Sequence, residues 1–276
     1  MDAQICPMER MERLLVATDG SESSRSAVEE AIQLAKACSS KLIAMTTVLT
    51  NIENAVPWVI ERAEKEMQEK LESIRRMASE QGIDCKTSLY QGEDPYMDIV
   101  NAAVMEHVDM IVMGTHGRRG IKKLIMGSIT GNVIGHAPCK VLVVPPGAKT
   151  DYRSILIATG GSIHSAAAAS EAAAIAKRYG SLLVIVSVAP SAAEVPLAEE
   201  NVKQVMALAE KEGLKKEGMA LPGKPHEVIL EIANQKHVGL IVVGSHGKTS
   251  LMSLLMGSVT ERVISLTESA VLVVKA

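Results

Sequence analysis

Two segments of the chain place glycine, histidine and serine at the same spacing. The first reads Gly114-Thr115-His116-Gly117, then nine residues, then Gly127-Ser128; the second reads Gly244-Ser245-His246-Gly247, then nine residues, then Gly257-Ser258. Glycine lets a backbone approach a ligand closely and reach positive φ. A Gly-Ser step that opens a helix gathers backbone N–H groups and a hydroxyl at the positive helix terminus, chemistry suited to an anion such as phosphate. Arg118 and Lys248 follow the second glycine of each segment and add positive charge. A strand-to-helix turn also uses glycine for purely local reasons. Two copies of the whole pattern favour a ligand over a bare turn, although a copy that no longer binds would keep the same turn.

Other constellations carry less. GSHGKTS, residues 244–250, ends like a Walker A loop, but that motif needs four residues between its glycine and the Gly-Lys pair, and two stand here. Gly160-Gly161-Ser162 lacks the end of the SGGxDS loop of ATP pyrophosphatases, with Ile163 and His164 in its place. His116 and His246 sit inside the glycine segments, where a loop-structuring role competes with a phosphate contact or acid–base work. Asp94 and His226 stand near helix starts and read as capping or surface residues. No nucleophile, base and orienting group come together and no paired carboxylates stand out, so no catalytic residue is assigned.

The glycine segments belong to a larger repeat. Residues 108–144 and 238–274 align without a gap at an offset of 130, with 17 of 37 positions identical. A weaker match pairs residues 13–36 with 154–177 at an offset of 141, so the second copy is shorter in its middle by about 11 residues. Residues 145–150, PPGAKT, form the join. In the first copy, apolar runs predict strands over 14–18, 42–48, 83–90, 110–113 and 141–144, of which 83–90 alternates as an edge strand does. Helical periodicity predicts helices over 22–37, 59–80, 95–107 and 128–135. The charged run over 61–76 reads as the solvated face of its helix. The second copy repeats the order with strands over 155–159, 182–188, 215–221, 240–243 and 271–274. Its helices cover 163–179, 197–211, 225–235 and 258–266.

Apolar strands alternating with helices predict an α/β fold. The expectation is two tandem, doubly wound, flavodoxin-like (Rossmann-like) domains over residues 1–147 and 151–276. Each has a five-stranded parallel sheet with helices on both faces. In such a sheet, ligands lie beyond the carboxyl ends of the strands where strand order reverses. Both glycine segments start at the carboxyl end of a fourth strand.

Composition narrows the class. The formal net charge of -3 gives no nucleic-acid footprint. With no Phe, one Trp and four Tyr, the core must be aliphatic, with the 15 Met as gap fillers. Cys6, Cys38, Cys85 and Cys139 show no CxxC pair and no metal-like spacing to histidine, so they read as four reduced thiols and no metal site is assigned. The charged N-terminus lacks the apolar stretch of a secretory signal, and no apolar run reaches the roughly 18 residues of a membrane span. A cytoplasmic location without membrane contact is expected.

The ATDGS end of the first strand, the G-x2-G-x9-G-S pattern and the terminal VLVV together resemble the universal stress protein family in its tandem two-domain form, over nearly the whole chain. The resemblance to the nucleotide-binding branch implies that Asp19 and Val48 hold adenine, here between aliphatic side chains. It implies Met113, Gly114 and Gly117 along ribose and phosphates, and Gly127, Ser128 and Ile129 at the phosphate end. In the second copy it implies Val188, Val243, Gly244, Gly247, Gly257, Ser258 and Val259. Gly160 there replaces Asp19, so preferential occupancy of the first copy is expected. The implied cofactor is ATP or another adenine nucleotide, with or without Mg. The implied role is a stress-response or regulatory protein whose nucleotide occupancy controls conformation or partner binding. A slow ATPase or self-phosphorylating protein using Ser128 is the alternative, as is a nucleotide-free dimerising scaffold. Family members pair through the last strand, which implies an intramolecular pseudo-dimer of the two domains and leaves a homodimer open.

Overall fold

The computed structural model describes residues 6–8, 11–50, 57–117, 126–247 and 256–276. Five strands and four helices alternate in the first half: β1 (Arg13–Ala17), α1 (Glu22–Cys38), β2 (Lys41–Leu49), α2 (Pro57–Ser79), β3 (Cys85–Gly92), α3 (Pro95–Met105), β4 (Met110–Gly114), α4 (Ser128–His136) and β5 (Lys140–Val144). The second half repeats them as β6 (Ser154–Ala158), α5 (Ile163–Tyr179), β7 (Leu182–Ala189), α6 (Val195–Lys211), β8 (Lys215–Pro222), α7 (Pro225–Gln235), β9 (Leu240–Gly244), α8 (Ser258–Leu266) and β10 (Ala270–Val274). A short 3-10 turn, Ala192–Glu194, precedes α6.

Local chemistry explains the boundaries. Pro95 and Pro225 open α3 and α7, where a missing N–H costs nothing. Gly180 ends α5 in the left-handed conformation at φ 64, which a residue without Cβ adopts freely. Along α2, Met67, Leu71, Ile74 and Ala78 recur at helical spacing on the buried face, while Arg75 pairs with Glu72 on the wet one.

The strands form one sheet in the order β3-β2-β1-β4-β5-β10-β9-β6-β7-β8. Each half is parallel and runs 3-2-1-4-5, so strand order reverses between β1 and β4, and again between β6 and β9. The halves join where β5 meets β10 antiparallel, in the register Val141↔Val273, Leu142↔Leu272, Val143↔Val271. Edge strand β3, foreseen from its alternation, lies at one end of the sheet and β8 at the other. One face is covered by α1, α2, α5 and α6, the other by α3, α4, α7 and α8. Because an antiparallel join by a two-fold axis normal to the sheet preserves its faces, each aliphatic core runs through both halves. Among the described residues, no helix is long and apolar enough to cross a membrane.

The cysteines depart from expectation. Cys6 and Cys38 form a disulfide, while Cys85 and Cys139 are free thiols. Separated by 32 residues in sequence, the pair gave no spacing signal. It meets because Met8 and Met11 bury themselves against the core, and Ser40 Oγ donates to the Met11 carbonyl at 2.5 Å, folding the N-terminal segment onto the end of α1. Burial pushes the thiol of Cys139 up to about 12 and that of Cys85 up to about 11.

Candidate functional site

At the carboxyl end of β1 the chain turns through Thr18-Asp19-Gly20 into α1. The Asp19 carboxylate accepts from the Ser21 N–H at 3.0 Å and the Ser21 hydroxyl at 2.6 Å through Oδ1. Its other oxygen faces the glycine segment: a methyl group built on Gly117 would lie 3.0 Å from Oδ2. Gly114 ends β4 against the first turn of α1, where an added Cβ would stand 3.3 Å from the Ser23 carbonyl oxygen. The Gly127 N–H donates to the Thr115 carbonyl at 2.9 Å, and the Thr130 hydroxyl donates to the Gly114 carbonyl at 3.0 Å. These bonds hold the start of α4 beside the end of β4. No side chain caps α4, and its first turn carries no acidic residue. Its leading N–H groups are the donors an anion needs.

The positive φ expected of these glycines is absent: none of the six lies in the left-handed region. Their reason is close approach instead. Gly244 is the tightest, since an added Cβ would stand 2.8 Å from the His164 carbonyl carbon and the Ser165 nitrogen. Gly247 differs, with nothing among the described residues within 4 Å of its missing Cβ.

The second crevice is built alike but closed differently. Gly160 stands where Asp19 does, with nothing among the described residues within 4 Å of its missing Cβ. Without that carboxylate, Ser162 caps α5 by accepting from the Ser165 N–H at 3.1 Å and donates its hydroxyl to the His246 carbonyl at 2.9 Å. Its counterpart Ser21 spends the same hydroxyl on Asp19. His164 and His246 add a second bridge, their rings 5.3 Å apart. Burial, then the nearby charges of His246 and Lys275, hold His164 below the ordinary imidazole range. Glu261 also sits in the first turn of α8, where the first copy has Gly131. A carboxylate there opposes the approach of phosphate to the same helix terminus.

The architecture matches known proteins over its full length. The universal stress protein family model matches residues 11–145 and again residues 151–275. The chain belongs to the universal stress protein family. Universal stress protein MJ0531 of Methanocaldococcus jannaschii is 34% identical over 138 residues, 48% of this chain and 81% of that one. Universal stress protein YxiE of Bacillus subtilis is 31% identical over 145 residues, 48% of this chain and 97% of its own. Among solved structures, a universal stress protein from Archaeoglobus fulgidus superposes with a TM-score of 0.79 over 98% of both chains at 23% identity, a likeness of fold.

In this universal stress protein, Asp19, Gly114, Gly117 and Gly127 converge through the contacts above. Met113 pairs with Ala17 on β4, buried beside them. Val48 is buried on the stretch of β2 that extends past the end of β1, since Ala17 already faces Met45. Ser128 and Ile129 are exposed at the start of α4. Val243, paired with Ala158, holds the place of Met113 in the second half, with Gly244, Gly247, Gly257, Ser258 and Val259 around that crevice. Val188 does not hold the place of Val48: Ala158 pairs with Val186, so the position three residues on is Ala189, and Val188 faces the other side of the sheet. Arg118 and Lys248 lie outside the described residues.

Lys70 escaped the sequence reading, hidden in the charged run. From α2 its ammonium donates to the Gly20 carbonyl at 2.9 Å, and its stem lies on Gly20 so closely that an added Cβ would stand 2.4 Å from Cδ. The same ammonium pairs with Glu66 at 2.9 Å, so an ion pair borders the Asp19 turn. In each glycine segment the histidine Nδ1 bonds the preceding hydroxyl while Nε2 is buried without a partner. A cavity of about 320 Å³ lies at the opposite, amino ends of β1 and β2, lined by Arg13, Lys41, Asp84, Lys86 and Glu106. Its charges neutralise one another through Lys86–Glu106 at 2.6 Å and Lys41–Asp84 at 3.5 Å.

Proposed function

We propose that this universal stress protein binds one adenine nucleotide, ATP or a close relative, in the crevice of its first half. Asp19 and Val48 take the base, Met113, Gly114 and Gly117 line ribose and phosphates, and Gly127, Ser128 and Ile129 hold the phosphate end. Mg, where present, accompanies the phosphates. Occupancy then controls conformation or partner binding, as a regulatory protein rather than a catalyst. The supporting observation is the contrast between the two crevices. In the first, Asp19 stands beside the exposed Gly117 and the uncapped α4 has no acid in its first turn. In the second, Ser162 and His164 bridge to His246, and Glu261 stands at the helix start.

Mass spectrometry of nucleotide released from freshly purified protein, followed by calorimetric titration with MgATP, tests the reading. One site per chain is expected, lost in a Gly127→Glu variant. The absence of binding by any adenine nucleotide would sink the proposal. ADP release or phosphate incorporation at Ser128 in the same samples would replace a binding module with a slow enzyme.

A further inference from the structure

The second half reaches across the β5–β10 join and holds α4 at both ends. At its entry, the Met126 N–H donates to the Ser265 hydroxyl, which sits in the last turn of α8, at 3.1 Å; that hydroxyl in turn donates to the Glu261 carbonyl at 2.8 Å. At its exit, the Lys275 ammonium donates to the carbonyls of Gly135 and Ala137, each at 2.8 Å. Those carbonyls belong to the last turn and cap of a helix, where acceptors lack partners and a cation is favoured. The counterparts in the repeat are Gly135 for Ser265 and Pro145 for Lys275, residues with neither hydroxyl nor ammonium. The first half therefore cannot hold α8 in this way, and the clamp runs in one direction.

We propose that Ser265 and Lys275 are positioning residues for the nucleotide site of the first half, which makes the second half a regulator of that site rather than a second copy of it. This rests on the nucleotide reading above. Met126 immediately precedes Gly127, so the hydrogen bond from Ser265 fixes where the chain enters α4 and where its leading N–H groups point. Lys275 fixes the far end of the same nine-residue helix. Whatever moves α8 or the end of β10 changes affinity at α4. Coupling of binding free energies is reciprocal, so nucleotide at α4 also biases the join between the halves.

The full chain carrying Ser265→Ala, and separately Lys275→Met, is titrated with MgATP beside wild type, Ser265→Thr and Lys275→Arg. A neutral hydrogen bond, as at Ser265, converts to about a two- to tenfold loss in affinity, and one from a charged ammonium, as at Lys275, to about a tenfold to hundredfold loss. That loss is expected in the first two variants at unchanged stoichiometry, with recovery in the conservative ones. Val205→Ala, which hollows the core beneath α6 on the opposite face of the sheet from α4 and α8, controls for destabilisation. Its melting temperature should fall while its affinity holds. Variants that bind as tightly as wild type, or a control that weakens binding equally, overturn the positioning role alone. Wild-type protein that binds no nucleotide overturns the functional reading itself.

Discussion

Leu142 of β5 and Leu272 of β10 face each other across the antiparallel ladder, and each is the other's counterpart in the repeat. The join is therefore centred on a pseudo-two-fold axis between two equivalent leucines, both buried. Leu142→Ala and Leu272→Ala should each lower the unfolding free energy by about 2–5 kcal/mol. Because the two sites are in contact, the double variant should depart from the sum by about 0.5 kcal/mol or more. Urea denaturation of the three variants checks this; strict additivity would deny the contact.

Asp19 gives the sharpest affinity prediction. A hydrogen bond to a charged group contributes about 1.5–3 kcal/mol, so Asp19→Ala should weaken MgATP binding roughly tenfold to a hundredfold. Calorimetry showing wild-type affinity in Asp19→Ala would remove Asp19 from the site.

Two neighbouring glycines should respond oppositely to the same change. Gly244→Ala drives a Cβ to 2.8 Å from backbone atoms of His164 and Ser165, which cannot swing away. Overpacking of this kind costs about 1–3 kcal/mol. Gly247→Ala meets nothing within 4 Å among the described residues and should leave the melting temperature unchanged. Thermal denaturation of both variants decides; equal losses would contradict the packing described here.

The Cys6–Cys38 bond predicts two free thiols per native chain and four after reduction. Closing a loop of this length contributes about 2–4 kcal/mol, so Cys38→Ser should be less stable than wild type by that amount. The difference should vanish in excess dithiothreitol. Thiol counting in denaturant without reductant that finds four reactive groups would refute the disulfide.

Glu30 on α1 accepts from the Tyr152 hydroxyl at 3.4 Å across the linker. Burial holds its carboxyl above the ordinary carboxylate range, against the lowering effect of Thr150 and, less, of that hydroxyl. The folded state thus binds the proton more tightly than the unfolded chain. Its contribution to stability is full below the ordinary carboxylate pKa and is lost as pH rises through the raised one. As pH rises above the ordinary carboxylate pKa, wild type should lose stability relative to Glu30→Gln. Parallel pH curves for the two proteins would exonerate Glu30.

Much of this architecture was legible along the chain. Apolar periodicity and the punctuation by Pro95, Pro225 and Gly180 act over a few residues, and the observed elements begin and end close to where those signals fall. The repeat at an offset of 130 announced two equivalent halves, and the G-x2-G-x9-G-S spacing marked the ends of β4 and β9 and the starts of α4 and α8. The substitution of Gly160 for Asp19 already set the two crevices apart.

What the sequence left undecided depends on residues that meet only when distant segments return to one another. Cys38 finds Cys6 across 32 residues, Lys70 finds Gly20 across 50, Ser162 finds His246 across 84 and Ser265 finds Met126 across 139. Local propensity carries no information about such pairs, because it reads only a few neighbouring residues and these partners lie far beyond that window. Tertiary packing brings them together, so that two copies of one sequence pattern differ in the contacts around their crevices.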